Sequence, residues 1–221
     1  MDLLQAMKNR HSVRSYTDKK IEGETKEQLR QIIDECNRKS GLNIQLCLNE
    51  PEAFGSMMAR YGKFKNVKNY IALVGKKDND FEEKCGYYGE KIVLKAQQLG
   101  LNTCWVAMTY SKGKSAAVAG KGEKLLMVIS LGYGETTGIP HKSKQIVDLC
   151  RVDGNMPDWF RQGMEAAQLA PTAMNQQKFI IELCGKKVTA KALSGFYAKV
   201  DLGIVKYHFE AGAGEGDWKW A

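Results

Sequence analysis

Apolar residues recur at helical spacing in several stretches of this chain. Leu3, Leu4 and Met7 follow Asp2, with Gln5 placed to complete a capping box, which predicts a short N-terminal helix with those apolar residues turned inward. Thr25 and Gln28 form a second capping-box pattern ahead of Leu29, Ile32, Ile33 and Cys36, one face of a second helix. From Tyr88 to Leu99 apolar residues occur on nearly every side, among them Ile92, Val93, Leu94 and Ala96, so a central, buried helix is expected to end at Gly100. Another helix starts near Pro157, with Asp158 in its first turn, carries Met164, Ala166, Ala167 and Ala170, and is stopped by Pro171. A last helical segment runs through Val205 and Phe209, where His208 stands isolated among apolar neighbours and reads as structural.

Short apolar runs between these helices read as strands. Asn43 to Leu48 is one, Tyr70 to Val74 ending at Gly75 is a second, and Cys104 to Ala107 restarts as a buried segment. Leu125 to Leu131, closed by Gly132-Tyr133-Gly134, is the clearest, and Phe179 to Ile181 follows late in the chain. Helices and strands mix without strict alternation, so the fold class is α+β rather than doubly wound. No G-x-G-x-x-G follows a strand and no P-loop is present, which removes support for a Rossmann site or nucleotide hydrolysis. A faint repeat is also visible. Helix followed by Leu42-Asn43-Ile44-Gln45 resembles helix followed by Met174-Asn175-Gln176-Gln177, and Gly89 and Gly100 with a following tryptophan resemble Gly203 and Gly214 with Trp218, which points to an internal duplication.

Composition narrows the class further. With 221 residues, 43% of them hydrophobic and 26% charged, the chain can bury a full core without staples. No apolar run approaches the roughly 20 residues that cross a bilayer, and no basic segment precedes an apolar one at the start, so no membrane association and a cytoplasmic location are expected. Six cysteines are scattered without a C-x-x-C pair or a histidine at metal-ligand spacing, so neither disulfides nor a metal site is expected, and most are read as small core hydrophobes. The net charge of +8 comes from lysines spread along the whole chain. Its densest groups, Lys63 to Lys65 with Lys68 and His141 to Lys144, lack interleaved aromatics, so nucleic acid is not an expected partner, although a basic protein attracts small anions.

Two segments carry chemistry. In Arg10-His11-Ser12-Val13-Arg14-Ser15-Tyr16, two arginines bracket a histidine and a hydroxyl with no acidic residue between them, a donor set suited to a phosphate. Ala170-Pro171-Thr172-Ala173-Met174-Asn175-Gln176-Gln177 supplies neutral amides of the kind that read the edge of a heterocycle. Together they suggest a phosphate-bearing ring cofactor.

These residues resemble the nitroreductase family of flavin enzymes. Arg10, Ser12, Arg14 and Tyr16 match its Arg-x-Ser-x-Arg-aromatic opening, and Pro171, Thr172, Asn175 and Gln177 match its Pro-Ser-x-x-Asn-x-Gln pattern, with Lys178 and Phe179 where the family has Pro and Trp. Leu99-Gly100-Leu101 with Cys104-Trp105, and Leu131-Gly132-Tyr133, resemble two further family segments. The second signature lies late in the chain, as in a subgroup whose reductase unit is duplicated within one polypeptide. The resemblance implies an antiparallel or mixed central sheet flanked by helices. It implies a first half at 1–150 and a degenerate second half at 151–221 that completes the site, so that a monomer mimics a dimer; a true homodimer is the alternative. It further implies bound FMN, with NADH or NADPH as co-substrate and a small electron-poor aromatic or quinone as acceptor in a ping-pong reaction. Arg10, His11, Ser12, Lys142 and Lys144 would take the phosphate, and Arg14 would support charge on the reduced ring. Pro171, Thr172, Asn175 and Gln177 would lie against the ring or ribityl chain, with Val106 and Ala107 near N5. No side chain would act as nucleophile, acid or metal ligand. The alternative activity is a noncatalytic relative that binds flavin or none.

Overall fold

In the computed structural model, which describes residues 1–221, the run Tyr70–Val74 lies within strand β2 (Asn69–Lys76), an inner strand of a four-stranded antiparallel sheet. Every residue from Tyr70 to Val74 is buried, as an uninterrupted apolar run demands when both faces of a strand are covered. Its neighbours are β1 (Gln45–Cys47) and β4 (Glu123–Gly132), and β3 (Asn102–Val106) closes the far edge beyond β4. Register runs Ile71 opposite Ile129 and Trp105 opposite Ile129, with an irregularity between Leu73 and Val74.

The chain divides into two compact units. The first comprises Met1, residues 9–81 and residues 92–140; the second comprises residues 2–8, 82–91 and 141–221. In the first, helix α2 (Gly23–Ser40) ends on Gly41 in the left-handed region at φ 72, and Asn37 ties it to the first strand. Its amide donates to the Ile44 carbonyl at 2.9 Å and accepts from the Ile44 N–H at 2.7 Å. Leu29, Ile33 and Cys36 are buried as the periodicity predicts, but the helix begins two residues before Thr25. Thr25 is therefore inside the helix rather than its cap, and Gln28 bonds to Glu24, one turn back. The core beneath the sheet is built from Val13, Tyr16, Phe54, Val67, Tyr70, Val106, Tyr110 and Val128, with Phe64 packed against it.

The second unit holds a mixed four-stranded sheet of β5 (Cys150–Val152), β6 (Phe179–Cys184), β7 (Lys187–Ala192) and β8 (Lys219–Trp220) in that order, with β5 parallel to β6, β6 antiparallel to β7 and β7 parallel to β8. The α+β class is as expected, with the strands in two sheets. Helix α1 (Leu3–Asn9) begins as expected, the Asp2 carboxylate accepting the Gln5 N–H at 2.7 Å. Ala6 and Met7 are its buried residues, whereas Leu4 is exposed, because only one narrow stripe of this short helix faces the core. Helices α6 (Asp158–Ala167) and α7 (Ala198–Ala213), which follow the short helices α3 (Met57–Tyr61) and α5 (Ile146–Leu149) in the chain, lie against each other. The first turns of α4 (Phe81–Gln98) cross α7 at backbone distance: a Cβ on Gly86 would meet the Val200 carbonyl oxygen at 2.0 Å, and one on Gly203 the Glu83 carbonyl oxygen at 2.0 Å. His208, isolated in sequence, is paired here. Its Nε2 is 3.0 Å from Glu90 Oε1 and its Nδ1 3.0 Å from the Ala166 carbonyl, with both side chains fully buried.

Candidate functional site

The residues singled out by sequence form two sets, one in each unit. In the first unit the segment from Arg10 to Thr17 is an extended strip held by its main chain. The Val13 N–H donates to the Thr103 carbonyl at 3.0 Å, Lys65 N–H to the Arg14 carbonyl at 2.9 Å, Glu135 N–H to the Ser15 carbonyl at 2.9 Å, and Thr17 N–H to the Tyr133 carbonyl at 2.8 Å. Burial recurs at every third residue along it: Arg10, Val13 and Tyr16 are buried, whereas Ser12 and Arg14 are exposed. Tyr16 fixes the register by donating to the Val13 carbonyl at 2.6 Å and sharing a 2.7 Å hydrogen bond with Ser130 Oγ. Gly138, at φ 79, lets the loop after β4 approach His11, since a Cβ there would stand 2.7 Å from His11 Cβ.

Arg10 is 3% exposed and Arg14 stands with its guanidinium 6.0 Å from the Phe64 ring. Burial pushes the Cys104 thiol above its ordinary value, and against that shift Arg14, a hydrogen bond from Ser12, and then Arg10 all favour the thiolate. Two guanidiniums and one hydroxyl thus act on the same point of β3, the strand that ends at buried Val106 before half-buried Ala107. The nearby acidic residue, Glu135, accepts from Ser15 Oγ at 2.5 Å and from Lys65 Nζ at 3.1 Å, which hold its carboxyl below the ordinary value. Cys104 and Phe64 were not singled out by sequence as site residues.

In the second unit Lys142 and Lys144 lie on an exposed segment clamped by amides. Gln177 is 4% exposed: its Oε1 accepts the Lys144 N–H at 2.8 Å, and its Nε2 donates to the Lys142 carbonyl at 2.9 Å and to Asn175 Oδ1 at 2.9 Å. Asn175 Nδ2 donates to the same Lys142 carbonyl at 2.9 Å, and Lys144 Nζ donates to the Gln177 carbonyl at 3.1 Å. Gln168, which caps α6 ahead of Pro171, donates to the Lys144 carbonyl at 2.6 Å. The hydroxyl of Thr172 accepts the Gln177 N–H at 3.0 Å, which gives the Pro-Thr pair a structural reason to carry a hydroxyl.

The turn between Thr172 and Gln177 is strained. Met174, Asn175 and Gln177 have φ of 52, 53 and 46, a region that non-glycine residues enter at a cost. Asp201, missed in sequence because it sits in an apolar helix, holds this turn from below: it accepts the Ala173 N–H at 3.0 and 3.1 Å and Gln176 Nε2 at 2.8 Å. Burial pushes its carboxyl up to about 6, against the pull of Gln176 and the Ala173 N–H.

A family model described as "Putative TM nitroreductase" matches residues 2–213. The chain belongs to this nitroreductase family. Among solved structures, a "putative nitroreductase" from Thermotoga maritima is 24% identical and aligns over 95% of this chain and 82% of its own, with a TM-score of 0.67. A "putative nitroreductase in complex with FMN" from Desulfovibrio desulfuricans is 16% identical, over 71% of this chain and 98% of its own, at a TM-score of 0.53. A "putative NADH dehydrogenase/NAD(P)H nitroreductase" from Parabacteroides distasonis is 20% identical, over 66% and 95%, at 0.52. At these identities the likeness is one of fold. No curated protein matches the chain. No helix of this chain is long and apolar enough to cross a membrane, and its six cysteines are free thiols, of which only Cys184 is exposed.

Proposed function

We propose that this chain binds FMN and carries hydride from NADH or NADPH to an electron-poor aromatic, such as a nitro compound, or to a quinone, in a ping-pong reaction. The observation that carries this reading is the main-chain ladder that holds Arg10, Ser12 and Arg14 in one short strip beside β3, through the Val13 N–H on the Thr103 carbonyl and the Lys65 N–H on the Arg14 carbonyl. The donor set fits a phosphate-bearing ring. Arg10, Ser12, Lys142 and Lys144 would hold the phosphate with His11 beside them, and Lys144 retains two ammonium protons beyond the one given to Gln177. When bound, the flavin supplies the two-electron chemistry. The protein's part is electrostatic: Arg14 would stabilise negative charge on the reduced pyrimidine edge, and the backbone at Val106 and Ala107 would lie near N5. Pro171, Thr172, Asn175 and Gln177 belong to the same proposed site, on the lysine side.

Four charge-assisted hydrogen bonds at about 1.5–3 kcal/mol each give roughly 6–12 kcal/mol before ordering costs, and micromolar binding requires about 8. Burial of the ring must therefore add to the phosphate contacts. In this reading the residues of 151–221 act as a degenerate second half that completes one site per chain, or two chains do so as a homodimer; gel filtration of the flavin-loaded protein separates the two. The free thiols suit a reducing, cytoplasmic setting. No nucleic acid is assigned as partner, in keeping with the dispersed lysines.

The test is an absorption spectrum after incubation with FMN and desalting, followed by anaerobic NADH and then NADPH. Retained yellow colour that bleaches is expected. Colour that never bleaches would make the protein a noncatalytic flavin binder, and no retained flavin would overturn the reading.

A further inference from the structure

We infer that Gln177, assisted by Asn175, is a positioning residue that sets where Lys142 and Lys144 present their ammonium groups to the flavin phosphate, and that it does not itself contact the ring. The inference rests on the FMN reading above. Its basis is a count of hydrogen-bonding capacity. A glutamine side chain has two amide protons, and both are spent here, one on the Lys142 carbonyl and one on Asn175 Oδ1. Its oxygen is engaged by the Lys144 N–H, and the group is buried. To donate to a heterocycle, Gln177 would have to give up its bond to the Lys142 carbonyl or to Asn175 Oδ1, and with it part of its hold on the loop. Exchanging one satisfied hydrogen bond of a buried amide for another returns little.

The bonds of Gln177 go to the two residues on either side of Ser143, one through a carbonyl and one through an N–H, so the amide reads the backbone of 142–144 as a neighbouring strand would. Its own carbonyl then takes one proton of Lys144 Nζ, fixing the direction of that ammonium. Asn175 adds a second donor on the Lys142 carbonyl. The backbone bends to make this arrangement: Asn175 and Gln177 both sit at positive φ, held there by the Thr172 hydroxyl on the Gln177 N–H. Strain maintained by several bonds, at residues whose side chains all reach toward one loop, is the mark of a built clamp.

The test compares FMN with riboflavin, which has the same ring and ribityl chain and no phosphate. Binding of each is measured by flavin fluorescence for the wild type, Lys144→Met and Gln177→Leu. The expected result is a fall in FMN affinity of roughly 10- to 100-fold in both variants, the worth of one charge-assisted bond, with riboflavin affinity held within about twofold. Equal losses for the two ligands in Gln177→Leu would overturn the inference, since a ring contact or a general structural role does not distinguish them. Unchanged FMN binding would overturn it as well. Should Gln177→Leu fail to fold, Asn175→Gly keeps the positive φ and removes only the exposed amide; it is expected to lower FMN affinity about three- to tenfold and to spare riboflavin. A wild type that binds neither ligand would defeat the flavin reading itself, an outcome distinct from a wild type that binds both and variants that lose both alike.

Discussion

The strip from Arg10 to Thr17 is held by main-chain hydrogen bonds to Thr103, Lys65 and Tyr133, whereas the loop from Lys142 to Lys144 is held by the side chains of Gln168, Asn175 and Gln177. Both present cations, and the difference lies in what each presentation depends on. A main-chain ladder accepts any side chain at its exposed positions, so its charges can be changed without moving its backbone. A loop tied by amides is only as well placed as those particular residues. The first arrangement also lies flat against a strand, while the second requires a strained turn and a buried carboxylate, Asp201, to hold that turn.

The sharpest way to break the comparison is to remove a rung of the ladder. Val13→Pro deletes the N–H that donates to Thr103 and leaves that carbonyl unmatched beside a buried side chain. A loss of about 3 kcal/mol in unfolding free energy is expected from urea denaturation. A loss below about 1 kcal/mol would mean that side-chain packing by Val13 and Tyr16, and not the ladder, holds the strip.

The lysine side is probed through Asp201. Its carboxyl is raised from 3.8 to about 6 by burial, so the sign is that of a group protonated more readily when folded. Below about 3.8 it is neutral in both states and costs nothing; as pH rises through about 6 the buried carboxylate charges and that stability is lost, by about 3 kcal/mol at most. No charged side chain contributes to the shift. Asp201→Asn keeps an oxygen for the Ala173 N–H and removes the charge. It is expected to raise stability by about 1–3 kcal/mol at pH 7.5 and by little at pH 4, so that the difference between wild-type and variant melting curves narrows as pH falls. A pH-independent difference would show that the carboxyl does not titrate in this range.

The contrast also explains what was legible in the sequence. The arginine strip announces itself because its charges, hydroxyl and aromatic lie within one short segment, and strands β2 and β4 because an apolar run is local information. Strands β5, β7 and β8 escaped because each is short or polar and is defined by its partners rather than by its own pattern. Asn175 and Gln177 were visible as amides, but their hydrogen bonds go to residues far away in the chain, and no spacing shows that. Asp201 and the Glu90–His208 pair were hidden for the same reason: a polar residue in an apolar helix reveals its purpose only through what it faces.

The smallest expected stability effect is the most discriminating. Arg14 is exposed, its backbone is fixed by the Lys65 N–H, and its one ring contact, Phe64 at 6.0 Å, is worth about 0.5 kcal/mol at such a site. Arg14→Ala should therefore leave the unfolding midpoint nearly unchanged, within about 0.5 kcal/mol. If the cation faces the reduced ring, the same variant should weaken FMN retention about tenfold or slow reduction by NADH or NADPH, because a charge-assisted interaction is lost where negative charge collects. Stability unchanged with binding or reduction impaired is the signature of a strip whose backbone is indifferent to the charge it carries. Stability and flavin behaviour both unchanged would remove Arg14 from the site, and a large loss of stability would show that the strip, like the lysine loop, leans on its side chains after all.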